Sequence, residues 1–130
     1  MSTKRERIKN KFGGLCAYTG KPLGDDWQID HMESVAHCRW NGKSDKANLE
    51  ENLIPALRIV NHYKRSHHLE SFRRYMLNFH TRLKKLPQKT RLSRTEKRKE
   101  YMYKVADAFG ITPETPFDGI FYFEKQKEEK

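Results

Sequence analysis

Asp30-His31-Met32 and, after a polar connection, Asn52-Leu53-Ile54-Pro55-Ala56-Leu57-Arg58-Ile59-Val60-Asn61-His62-Tyr63-Lys64 are the stretches on which the fold turns. Residues 27–32 alternate apolar and polar side chains, the period of a half-buried strand, which ends at Asp30-His31. Residues 53–56 read as a second short strand, and Pro55 places it at a sheet edge. A helix then begins near Leu57 and runs to about Ser66. Leu57 and Val60 share one face, while Asn61 and Lys64 lie one turn apart on a neighbouring face. If the two strands form a hairpin, that neighbouring face sits beside the strand end carrying His31.

The connection over 33–51 exceeds the ~12–15 residues usual for a structureless loop, so it is either functional or holds a turn of helix. Trp40 within it is expected to anchor the loop, with nucleobase stacking as the sharper alternative. Upstream, residues 3–12 carry five Lys or Arg around Ile8 and precede Gly13-Gly14, the pattern of a short basic helix stopped by glycine. A solvated face accounts for its charge; a localisation or phosphate-binding segment is the alternative. Residues 15–24 form a turn-rich knuckle punctuated by Gly and Pro.

Downstream, Leu69, Phe72, Met76, Phe79, Leu83 and Leu86 make an apolar stripe over 67–85, opposite Arg73, Arg74, Arg82, Lys84 and Lys85. Pro87 ends that helix and residues 89–94 make a basic linker. Ser93-Arg94-Thr95-Glu96 fits a capping box for a third helix, whose Met102, Val105, Ala106 and Phe109 share a face and which stops at Gly110. Residues 120–123, Ile-Phe-Tyr-Phe, read as a terminal strand, followed by a solvated tail over 125–130.

A chain of 130 residues is sized for a single domain over 1–130 with one core. Its net charge of +10 favours a polyanionic partner, nucleic acid being the commonest, and membrane surfaces the other class. No apolar run approaches the roughly 18 residues of a membrane span, and no signal-peptide pattern opens the chain, so no membrane association and a cytoplasmic location are expected. Cys16 and Cys38 lack Cys-x-x-Cys partners and read as two reduced thiols.

Cys16-Ala17-Tyr18-Thr19-Gly20, Ile29-Asp30-His31-Met32, the segment from Asn52 to Lys64 and Leu69-Glu70-Ser71-Phe72-Arg73 occur in an order that resembles the HNH homing-and-restriction endonucleases. The likeness covers about 13–73. Residues 74–130 then form a helical extension with the terminal strand, its end more weakly similar to the tails of small phage-borne members acting in a host cytoplasm. The resemblance implies an α+β fold, a ββα-metal finger with additional packed helices and a C-terminal strand. It implies a metal-dependent DNA endonuclease, nicking or cutting both strands. His31 would be general base and Asn52 would orient it through the loop backbone. Asp30 and Asn61 would be metal ligands, and Lys64, Arg65, Arg73 and Arg74 would contact nucleic acid.

The residue chemistry agrees with that assignment. Imidazole, with a reference pKa near ~6.5, accepts a proton at working pH. One carboxylate and one amide oxygen make a sparse, hard site suited to Mg²⁺ or Mn²⁺. His37, His62, His67, His68 and His80 are expected to be exposed, with phosphate contacts an alternative for those near the helix junction.

Many members of the family hold zinc with two Cys-x-x-Cys pairs, whose positions here are Cys16, Thr19, Leu57 and Val60. Three ligands are missing, so structural zinc is not expected. Such an ion contributes on the order of 10 kcal/mol to a small finger, against about 1.5–3 kcal/mol for burying each aliphatic. The helices and the aromatic terminal segment must therefore complete the core. A non-catalytic nucleic-acid-binding module on the same finger is the alternative function, and an RNA-binding or ribosome-associated protein a third.

Overall fold

Trp27–His31 (β1) and Leu53–Leu57 (β2) pair antiparallel, Trp27 opposite Leu57 and His31 opposite Leu53, in a two-stranded sheet. The computed structural model describes residues 3–42, 44–87 and 93–128. With helices accounting for its other elements, the fold is α+β. Two strands alone are marginal in water. This pair is covered: four of the five β2 residues are buried, and the Ala17 amide donates to the Pro55 carbonyl at 2.8 Å.

Helix α3 (Arg58–Lys64) leaves β2 with no intervening loop, Leu57 belonging to the strand. It ends before Ser66 because Arg65 adopts φ +54°, the one positive φ outside glycine among the described residues. The 33–51 connection does hold a helix, α2 (Val35–Trp40), after α1 (Lys4–Lys9) in chain order. Ser34 Oγ caps α2 by accepting from the His37 amide at 3.1 Å. Trp40 is 90% exposed and anchors nothing; buried Cys38 and Ala47 tie the connection down instead. Helix α1 does more than solvate its charge. Arg7 pairs with Glu50 at 2.5 Å, Lys11 donates to the Leu53 carbonyl at 2.6 Å, and Arg5 lies over the Trp27 ring.

The stripe expected over 67–85 is split at Asn78 into α4 (Leu69–Leu77) and α5 (Phe79–Lys84). Asn78 is a weak helix former whose amide reaches back to the Arg74 carbonyl. The break keeps Phe72, Met76, Phe79 and Leu83 all buried. Helix α6 (Ser93–Phe109) buries Met102, Val105 and Ala106. Its end is a Schellman closure at Gly110: Ile111 N–H to Ala106 and Gly110 N–H to Asp107. The basic linker expected at 89–94 lies largely outside the described residues.

The expected C-terminal strand is a helix, α7 (Tyr122–Glu128). Phe121 and Phe123 are buried as a strand alternation would require, but among the described residues no strand pairs with them. Glu124 instead accepts from the Phe121 amide at 2.9 Å, the reciprocal half of a capping box, and nucleates a helix. The amides of Tyr122 and Phe123 donate to the carbonyls of Tyr18 and Ala17. Tyr18, Phe72, Phe109, Phe117, Phe121 and Phe123 join knuckle, α4, α6 and α7 in an aromatic cluster, with Phe72 and Phe121 stacked at 5.6 Å. No described helix is long and apolar enough to cross a membrane.

Candidate functional site

His31 closes β1 half-buried, its Nε2 2.8 Å from Asn48 Oδ1. An amide oxygen only accepts, so Nε2 carries the proton in the neutral ring and Nδ1 holds the basic lone pair. Asn52 is buried and grips the backbone just beyond His31. Its Oδ1 accepts from the Glu33 amide at 2.9 Å, its Nδ2 donates to the carbonyls of Glu33 and Ala47, and its own carbonyl accepts from the Met32 amide. That bracket fixes the strand end and the return of the loop together.

Asp30, one residue earlier, is buried against α3. Its Oδ2 receives the Tyr18 hydroxyl and lies 3.4 Å from Lys64 Nζ. Lys64 is fully buried and also donates to the His31 carbonyl at 2.9 Å. Burial raises the Asp30 carboxyl above its ordinary range, with Lys64 and Tyr18 only partly opposing. Burial likewise lowers Lys64, and it pushes Tyr18 well up, so that the phenol stays a donor. The expectation that Lys64 faces a phosphate is corrected: the hairpin register brings Asp30 over it, and its ammonium is used to hold that carboxylate and the His31 backbone.

Asn61, one turn before Lys64, donates to Gln28 Oε1 at 2.6 Å. Asp30 and Asn61 therefore lie on the same β1–α3 seam with separate protein partners. Asp30 Oδ1 and Asn61 Oδ1 accept no hydrogen bond from any described residue. Two unengaged hard oxygens, one anionic, match the donor chemistry of a Mg²⁺ or Mn²⁺ site that takes its other ligands from water and phosphate. Among the described residues no three His, Cys, Asp or Glu gather into a ligand group.

Of the other expected nucleic-acid contacts, Arg73 is corrected too. Its guanidinium bonds both Glu124 oxygens at 2.6 Å, the Gly119 carbonyl and Glu70, and lies over Phe121, so it docks α7. Arg65 and Arg74 are exposed. His62 and His67 are exposed, whereas His37, His68 and His80 are half-buried, His37 stacking on His68 at 4.2 Å.

Sequence reasoning missed Asn48 and Tyr18. Asn48 sits in a polar run with nothing to single it out. Tyr18, the one aromatic in the knuckle, gave a signal without a partner. At the four positions of the family's zinc pairs, Cys16 Sγ accepts the Leu57 amide at 3.4 Å and Val60 is fully buried. No family model matches the chain, and no curated protein or solved structure does.

Proposed function

We propose that the chain is an HNH-type endonuclease, a ββα-metal finger that hydrolyses phosphodiester bonds in DNA. The observation that carries this is His31: half-exposed at a strand end clamped by Asn52, with Nε2–H committed to Asn48 and Nδ1 left to accept a proton. His31 Nδ1 takes the proton of the attacking water, and Asn48 stabilises the imidazolium that forms by accepting from Nε2–H. Lys64 acts as a positioning residue through the His31 carbonyl and Asp30. Asp30 and Asn61 would hold a Mg²⁺ or Mn²⁺ ion, which supplies charge stabilisation on the phosphate and leaving oxygen when bound. The charge of +10 supplies sequence-independent attraction to the phosphate backbone.

The Lys64–Asp30 pair favours a second reading, a nucleic-acid-binding module without catalysis, because an ammonium already neutralises the carboxylate. Plasmid cleavage with Mg²⁺ or Mn²⁺, comparing the chain with His31→Ala, separates the two. The nuclease reading expects supercoiled plasmid to be cut and the variant to lose roughly 10²–10⁴-fold in rate with DNA binding retained. Equal binding by both with no cutting under either metal establishes the module.

A further inference from the structure

Between the end of α3, α4, α5 and α6 lies a cavity of about 380 Å³, within the roughly 300–1,000 Å³ range of small-molecule sites. Its charged lining is of one sign. Arg65, Arg82 and Arg98 contribute three guanidinium groups, Tyr63, Tyr75 and Tyr101 supply aromatic walls, and no carboxylate of a described residue lines it. Arg65 and Arg98 make no side-chain hydrogen bond or ion pair among the described residues, so neither charge is spent on the fold. Arg82 is spent in part: it lies 3.9 Å over the Tyr75 ring and donates to the Tyr75 carbonyl and Tyr63 hydroxyl, yet its buried Nε finds no acceptor.

The backbone at Arg65 adds a separate argument. With φ +54° and ψ −131° it occupies a region that glycine takes freely and other residues take at a cost. An arginine there puts a guanidinium at the cavity where the turn alone would be served better by glycine.

We propose that this cavity is a nucleotide site, taking a phosphate ester on Arg65 and Arg98 with its nucleoside against the tyrosine walls. Like charges lining one concavity repel, and a phosphate relieves that repulsion while matching the planar fork of arginine. Aromatic walls suit a base and leave an inorganic anion with little to touch. An acidic peptide meets the charge requirement but not the ring surface. The site borrows the nucleic-acid reading for its ligand and does not depend on His31 cleaving anything.

The test is a calorimetric titration of the full chain with dAMP, alongside inorganic phosphate and polyglutamate, and competition of dAMP against a labelled single-stranded oligonucleotide. Arg65→Gly/Arg98→Ala removes the two free guanidinium groups at positions that accept the new residues, and thermal unfolding checks that the fold is kept. Lys4→Ala/Lys9→Ala removes the same charge from α1, outside the cavity. The proposal expects saturable dAMP binding, weakened about tenfold or more by the first pair and within about twofold in the second. Displacement of the oligonucleotide identifies the occupant as a unit of a DNA strand; tight dAMP binding without displacement identifies a free mononucleotide, and both support the site. Equal losses in the two double variants, binding of phosphate or polyglutamate as tight as dAMP, or no saturable dAMP binding overturns it.

Discussion

Replacing Lys64 with methionine keeps the length and apolar stem of the side chain and deletes its charge. Nζ bonds the His31 carbonyl at 2.9 Å and pairs with Asp30 at 3.4 Å, and both side chains are almost wholly buried. The variant leaves the Asp30 carboxylate with the Tyr18 hydroxyl as its one remaining bond. Removing one partner of a buried pair costs about 3–5 kcal/mol, a large part of a stability of about 5–15 kcal/mol. For a chain of this size that is a fall of roughly 10–20 °C in Tm. Adding Asp30→Asn removes the orphaned charge while keeping an acceptor for Tyr18, and recovers most of the loss, to within about 1–2 kcal/mol of the parent. The pH dependence has a definite sign. The folded Asp30 carboxyl sits above its ordinary 3.8, chiefly through burial, so its contribution is fullest below that value and is lost as pH rises through the raised one. Losing Lys64 raises it further, so the deficit of Lys64→Met is largest at neutral pH and shrinks on acidification. Urea unfolding of the four-member cycle at two pH values measures each quantity. A single-variant loss under about 1 kcal/mol refutes the burial argument for Lys64.

Gly20→Ala should cost about 1–3 kcal/mol, because the position has φ +74° and a Cβ there would stand 2.6 Å from Tyr122 Cδ1; an unchanged urea midpoint contradicts that packing. Burial raises Glu124, but bonds from Arg73 and the Phe121 amide outweigh it and hold the group below its ordinary 4.5. That stabilisation is present above 4.5 and is lost as pH falls through the depressed value, so α7 should lose amide-exchange protection on acidification ahead of the rest of the core. Trp40→Ala removes a 90% exposed ring and should leave stability within about 0.5 kcal/mol. If the ring stacks on bases, affinity for single-stranded DNA falls about fivefold or more; unchanged affinity removes Trp40 from the interface.

The hairpin and its helix were legible because the alternation over 27–31 and the apolar run at 53–57 carry their own periods, and Pro55 marks an edge. The aromatic quartet at 120–123 misled because β propensity describes a side chain on a pleated surface and says nothing about whether a partner strand exists. Glu124, three residues past Phe121, was the signal that decides for helix. The assignment of Lys64 to nucleic acid comes from the resemblance alone, and only the strand register, which lays Asp30 over α3, shows that its ammonium is held inside the fold. Arg73 failed in the same way, since Glu124 lies far along the chain and the ion pair exists only once α7 docks.

The knuckle couples parts of the chain that lie far apart in sequence. Cys16 Sγ receives the Leu57 amide, and Ala17 bonds Pro55 through its N–H and Phe123 through its carbonyl. Tyr18 holds the Tyr122 amide with its carbonyl and Asp30 with its hydroxyl. Three consecutive residues thus join the strand-to-helix corner, the first turn of α7 and the carboxylate beside His31. Here the docking of α7 and the setting of Asp30 share Tyr18, so a change that frees α7, such as protonation of Glu124, loosens the residue that orients Asp30. The stability of the carboxyl-terminal helix and the geometry of the candidate centre are therefore expected to vary together.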